Sequence, residues 1–355
     1  MAVLLMAYGA PESLEDIPAF LRAVRGGRPV PDELARDVAE RYRRMGRSSP
    51  LVDITKAQAG ALQARLDGEK GDFDVYVGMR HSEPTIASTV ERMSARGHET
   101  VVALPMTPYR SPMSFDAYMG SLSRAVAERA ASLEILPVRG WSDHPLLIEA
   151  FAERIGEASA RIPAAMRAGT VLLLTGHSLP KRSMTADDPY SRQIEATAGA
   201  VARKAGYGDW RFAYQSASRV TDRALPRGSV TEPSGDRGLT RGNAASEGVG
   251  AAEGMPPPEV VGERPASEAL GAADDPWLGP DAGEVIGELA DKGVRSVLLA
   301  PIGFLADNME TLYDDDILYR GLAERRGVSF ARAEALNASA TLSRALAEVV
   351  REALR

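Results

Sequence analysis

Short apolar runs alternate along the chain with longer stretches whose apolar residues recur at helical spacing. Runs of this length bounded by turn residues read as strands buried on both faces, and their alternation with amphipathic stretches predicts a doubly wound α/β arrangement. In the first half the runs are Val3–Tyr8, Phe73–Gly78, Thr100–Pro105 and Leu133–Val138; in the second they are Thr170–His177, Arg211–Gln215, Ser296–Ile302 and Val328–Arg332. Four in each half predict two similar lobes, each a four-stranded parallel sheet flanked by helices, with a cleft between them. The turns after the first strand of each half are comparable, AYGAPE at Ala7–Glu12 and TGHSLP at Thr175–Pro180, and each third strand leads to a proline, Pro105 and Pro301. Near the C-terminus, Leu342, Leu346, Val349 and Val350 lie on one face of a predicted helix over Ser339–Leu354, which is expected to pack back on a lobe. The predicted division is therefore 1–145, 146–334 and a C-terminal helical piece, 335–355.

One stretch breaks the alternation. Residues 221–274 contain no aromatic residue, no Ile and no Lys, and are rich in Gly, Pro, Ala, Ser, Asp and Glu. That composition buries too little apolar surface to offset chain entropy, so it predicts a disordered insertion in the second lobe.

Length supports two lobes, because 355 residues exceed one ordinary core. The absence of cysteine excludes disulfides, thiolate nucleophiles, Cys-held zinc and iron–sulfur clusters, and leaves His, Tyr and carboxylates for any metal chemistry. A net charge of −7, with no Lys/Arg-dense block carrying interleaved aromatics, speaks against nucleic acid and for a small-molecule partner. No basic, apolar leader and no run of about 20 apolar residues is seen, so a cytoplasmic protein without membrane insertion is expected.

Ligands of open α/β sheets sit outside the carboxyl ends of the strands. His177 stands there, at the end of an apolar strand and just before Ser178–Leu179–Pro180. It reads either as a turn histidine satisfied locally or as a functional group. In PIGFLADNMETLYDDD (Pro301–Asp316), Asp307, Glu310 and Asp314 are spaced i, i+3, i+7, which on a helix is a single acidic row able to bind and pass a divalent cation. The same spacing of Asp307 and Glu310 also has the form of a capping box. A histidine facing such carboxylates suits metal delivery coupled to proton abstraction. No Walker motif, Gly-x-Gly-x-x-Gly or Gly-x-Ser-x-Gly is present to support a nucleotide-dependent enzyme or a serine hydrolase.

The order of MAYGAPE (Met6–Glu12), Arg25–Arg28, Arg41–Tyr42, Ser49–Leu51, GMRHSEP (Gly78–Pro84), HSLP (His177–Pro180), DPY (Asp188–Tyr190), YQS (Tyr214–Ser216), DPWLGP (Asp275–Pro280) and PIGFLADNMETLYDDD resembles the ferrochelatases, and within them the branch that metallates coproporphyrin. The resemblance implies two Rossmann-like, chelatase-type lobes and insertion of ferrous iron into coproporphyrin III. It also implies that His177 and Glu310 are the catalytic pair. Tyr8 would approach the iron from the opposite face, and Arg25, Arg41, Tyr42, Ser49 and Tyr118 would contact the macrocycle or its propionates. On the metal side it points to His177, Glu310, Asp307 and Asp314, although many relatives continue the acidic row about a turn beyond Asp314, where this chain has Leu318. His81 matches a histidine that binds metal outside the main site in some relatives. No organic cofactor is expected, Fe2+ being a substrate, and the chain is expected to be a monomer. Protoporphyrin IX as substrate, a chelatase for another metal and a sirohydrochlorin-like ring, and a non-catalytic haem carrier are the alternatives.

Overall fold

The computed structural model describes residues 1–67, 73–129, 132–185, 187–216 and 276–355; the expected insertion over 221–274 lies outside them. In chain order the first part comprises β1 (Ala2–Ala7), α1 (Ile17–Val24), α2 (Asp32–Met45), α3 (Leu51–Leu66), β2 (Asp74–Met79), α4 (Ile86–Ala95), β3 (Thr100–Pro105), α5 (Ala117–Arg129) and β4 (Glu134–Pro137). There follow α6 (Pro145–Ala160), α7 (Ala164–Arg167), β5 (Thr170–His177), α8 (Tyr190–Lys204), β6 (Trp210–Gln215), α9 (Ala282–Asp291), β7 (Ser296–Ala300), α10 (Arg320–Arg325), β8 (Ser329–Arg332) and α11 (Ala340–Glu352). Each expected strand forms, with ends displaced by at most two residues.

The strands make two all-parallel four-stranded sheets of the same topology, β2-β1-β3-β4 and β6-β5-β7-β8. The central strands β1 and β5 are apolar through almost their whole length because helices cover both faces, and β1 is buried at all six positions. In each sheet the second strand lies on one side of the first and the third on the other. The chain therefore diverges between β1 and β3, and again between β5 and β7, which is where such sheets bind ligands.

The two sheets share one apolar cluster, in which Val3 and Leu5 of β1 belong with Leu172 and Leu174 of β5. Polar links reinforce it. Tyr109 donates its hydroxyl to the carbonyl of Ile302 at 2.9 Å, and the Gln58 amide donates to the carbonyls of Leu305 at 3.1 Å and Asn337 at 2.9 Å. Helix α11, capped by the Ser339 hydroxyl, buries Leu342, Leu346, Val349 and Val350 and packs on both α3 and α6. It thus touches one helix beside the first sheet and one beside the second, and burying each of those side chains contributes about 1.5–3 kcal/mol. Among the described residues no helix is long and apolar enough to cross a membrane.

Candidate active site

His177 is the last residue of β5, at the divergence of the second sheet. Its position is fixed from several sides. The Tyr190 hydroxyl donates to its carbonyl at 2.7 Å, while the next residue, Ser178, donates its N–H to the Gln215 carbonyl at 2.9 Å and its hydroxyl to that of Leu278 at 2.8 Å. The turn after β7 rests directly on this strand end. A Cβ at Gly303 would stand 2.8 Å from the Gly176 Cα and 3.0 Å from the His177 nitrogen, so only glycine lets the two backbones approach. The Gly303 N–H donates to the Thr175 carbonyl at 3.0 Å, and Phe304 is set edge-on to the imidazole with centroids 6.1 Å apart.

Seven residues beyond that glycine is Glu310. Asn308 opens its helix: its side-chain oxygen accepts from the N–H groups of Glu310 at 2.8 Å and Thr311 at 3.2 Å, while its own N–H donates to the Thr311 hydroxyl at 3.0 Å. The cap is thus Asn308, not the Asp307–Glu310 box that the spacing suggested. The helix that follows, Thr311–Tyr319, is π-helical over nine residues, well beyond the single turn such helices usually make and a form often found at functional sites.

This brings Glu310 Oε2 to 3.2 Å from His177 Nδ1, with the two side chains 29 % and 33 % exposed. The two atoms are within ion-pair range but not aligned as a hydrogen bond. Burial opposes both charges, but each partner outweighs it: Glu310 raises the imidazole above its ordinary 6.5, and His177, aided by Arg41, lowers the carboxyl below its ordinary 4.5. Each side chain therefore favours the charged form of the other. Asp314, one further step along the helix, accepts the Ser216 hydroxyl at 2.6 Å, and burial pushes its carboxyl up to about 6.

Asp307 does not join this row. One of its oxygens pairs with Arg332 at 2.8 Å and accepts the Thr311 hydroxyl at 3.1 Å, and the other accepts from the Asn337 amide at 2.8 Å. Arg332 is itself buried and also holds Asp316 at 2.8 Å, so Asp307 is a structural counter-ion that precedes the helix, and the expected line of three acids is two. Leu318 is buried and adds no acid to the line. Asp315 is wholly buried with neither oxygen hydrogen-bonded, and burial holds it well above the ordinary carboxylate range.

The first lobe supplies the other groups. Tyr8 follows β1, at the divergence of the first sheet, and remains 39 % exposed. The surrounding walls push its phenol up to about 12, with Arg80 acting against that and Glu310 adding to it. Its ring meets the edge of His81 at 4.6 Å between centroids, and burial drives that imidazole down to about 3, so it stays neutral. Tyr118 is buried on α5 within electrostatic reach of Tyr8 and Arg80, and Tyr42 is buried on α2 within reach of Glu310. Arg41 packs over the Tyr313 ring at 5.4 Å and favours the charged forms of Glu310 and Asp314.

Arg25 and Ser49 are engaged locally. Arg25 donates to the Pro29 carbonyl at 3.0 Å, and the Ser49 hydroxyl accepts from the Leu51 N–H at 3.4 Å where α3 begins. Sequence reasoning passed over Arg80, which strand pairing sets beside Tyr8: its N–H donates to the Ala7 carbonyl at 2.9 Å and that of His81 to the Tyr8 carbonyl at 3.0 Å. Its position after the end of β2 was the available signal. Among the described residues no group of three or more His, Asp or Glu side chains forms a metal cage. The arrangement fits transient handling of a cation and protons, with His177 and Glu310 as donors.

The sequence model of the family described as Ferrochelatase matches residues 1–222 and 267–354. A ferrochelatase of Herpetosiphon aurantiacus is 32% identical over 337 residues, covering 95% of this chain and 93% of that protein. Coproporphyrin III ferrochelatases of a Geobacillus species and of Bacillus subtilis are 31% and 30% identical over 353 residues, each covering 99% of this chain and 96% of the relative. Among solved structures, SirB from Bacillus subtilis with Fe3+ superposes with a TM-score of 0.53 at 11% identity, covering 99% of this chain and 94% of that one, a likeness of fold. By sequence match along nearly its whole length, this chain belongs to the ferrochelatase family.

Proposed function

We propose that the chain inserts ferrous iron into coproporphyrin III, giving Fe-coproporphyrin in haem biosynthesis. The observation that carries this reading is the His177–Glu310 pair, 3.2 Å apart at the divergence of the second sheet with Tyr8 at that of the first. The names of the relatives, several of them coproporphyrin III ferrochelatases, support the choice of ring. Iron is a substrate here, no organic cofactor is invoked, and the protein acts as a cytoplasmic monomer.

In the reaction two pyrrole N–H bonds break, iron–nitrogen bonds form, two protons leave and iron stays ferrous. A flat ring that still bears two N–H groups blocks the metal, so a site that holds the ring bent lowers the barrier. Iron arrives on the His177–Glu310 side. Its charge disfavours the imidazolium, which releases its proton toward solvent, and the neutral ring nitrogen then accepts a pyrrole proton. Glu310 offsets the cationic charge throughout. Asp314 is poised near neutrality to take protons onward. Tyr8 faces the inserted iron from the other side, while Arg25, Arg41, Tyr42, Ser49 and Tyr118 hold the ring and its four propionates, each charge-assisted hydrogen bond contributing roughly 1.5–3 kcal/mol.

The test is an anaerobic competition in which Fe2+ is offered with coproporphyrin III, protoporphyrin IX and sirohydrochlorin together and the products are weighed by mass spectrometry. Iron coproporphyrin should dominate. Dominance of iron protoporphyrin would replace the ring, and binding of tetrapyrroles without metallation would make the protein a carrier.

A further inference from the structure

Helices α3 and α11 run side by side, and Arg65 in the last turn of α3 clamps them. Its Nε–H donates to the Ser343 hydroxyl at 2.6 Å and a terminal nitrogen to the Ala340 carbonyl at 3.1 Å. Next to this clamp lies a recess of about 360 Å³ lined by Ala64, Arg65, Arg344, Ala347, Glu348 and Arg351. On α11 the residues Arg344, Ala347, Glu348 and Arg351 are spaced i, i+3, i+4, i+7, so they share one face beside the buried apolar stripe. The short side chains of Ala64 and Ala347 are what leave the space open.

The charge of the recess runs against that of the chain. Three guanidiniums and one carboxylate line it, in a protein whose net charge is −7. The carboxylate is shared with a second neighbour, since Glu348 Oε2 also lies 3.5 Å from the buried His144 Nε2. Arg344 has a weak partner: Glu149 is 3.9 Å away, with both side chains substantially exposed at 49 % and 37 %. Such a pair contributes well under about 1 kcal/mol and is readily exchanged for a better acceptor. Arg65 is already held in place, so it loses little freedom on binding.

We propose that this recess between α3 and α11 binds a small polyanion, a phosphate ester or a polycarboxylate. Guanidinium forks match two oxygens of either group at once. The volume is at the lower end for small-molecule sites, which sets the size of the ligand at a few heavy atoms beyond the anionic group. The site is separate from the iron-inserting one. Helix α3 runs 16 residues from Leu51, next to Ser49, to Leu66, so its two ends are about 24 Å apart.

The test is calorimetric titration of the full chain with pyrophosphate and with citrate, against sodium chloride at matched ionic strength. Saturable binding of one equivalent is expected for at least one of the two, which also distinguishes phosphate from carboxylate chemistry. Affinity should fall at least ten-fold both in Arg344→Gln/Arg351→Gln and in Ala64→Glu, which places a carboxylate in the recess without touching an arginine. Iron insertion measured without added anion should be unchanged in these variants. No saturable binding beyond the chloride control, or binding by both variants equal to that of the unaltered protein, would overturn the proposal.

Discussion

His177 and Glu310 each favour the charged form of the other, and that has consequences in opposite pH directions. The imidazole is raised above 6.5, so its share of stability is fully present below 6.5 and is lost as pH rises through the raised value. The carboxyl is lowered below 4.5, so its share is present above 4.5 and is lost as pH falls through the lowered value. Removing the carboxylate leaves burial to act on the imidazole with only Asp314 opposing it. Glu310→Gln should therefore lower the His177 titration midpoint seen by NMR, and move the acid limb of its residual kcat/KM to lower pH. An unmoved midpoint would mean that the two side chains do not interact in solution. Asp314 behaves in the other sense. Its native value of about 6 against 3.8 unfolded means the folded state holds the proton longer, so stability falls as pH rises from 3.8 to 6. Asp314→Asn should remove that loss and gain up to roughly 3 kcal/mol on the unaltered protein between pH 3.5 and 7, read by urea denaturation at both pH values. An equal stability difference at both would show that Asp314 ionises normally.

At the scale of elements, the segment after β7 marks how far sequence could be read. The acids at 307, 310 and 314 suggested a helix with one metal-facing row, and Glu310 and Asp314 do lie beside His177. Asp307 departs because its partner, Arg332, is 25 residues further on at the end of β8, a pairing that no local pattern reveals. The π-helical winding had no sequence signal either. If Asp307 is structural, Asp307→Asn should cost about 1–3 kcal/mol, since buried Arg332 keeps Asp316 but loses one counter-ion, while kcat stays within about two-fold. Lost turnover with intact stability would put Asp307 back on the metal path. The turn before it is equally demanding. Gly303→Ala should cost about 1–3 kcal/mol and lower turnover, because a methyl group there pushes the Glu310 segment off the end of β5. A variant as stable and active as the unaltered protein would show that the turn has slack.

For the whole molecule, the alternation of apolar runs was enough to place the eight strands of the described residues, since central parallel strands must be apolar on both faces. The similar turns at Tyr8 and His177 already hinted at duplication, and the two sheets do share one strand order. What the pattern could not disclose is how the halves join. The common cluster of β1 and β5 residues, the Tyr109–Ile302 and Gln58–Leu305 bonds and the seat of α11 on α3 and α6 all depend on contacts between residues far apart in the chain. Family motifs, rather than periodicity, singled out Tyr8, Tyr42 and Tyr118. Iron insertion into coproporphyrin III, as proposed above, needs this joined frame to hold His177 against Glu310. It is tested most directly by anaerobic stopped-flow metallation of coproporphyrin III by the unaltered protein and by His177→Ala, with porphyrin affinity measured in parallel by fluorescence. Rapid iron insertion is expected of the first and a fall of at least about 100-fold in the second with affinity kept. Near-full turnover in His177→Ala, or none in the unaltered protein, would contradict it.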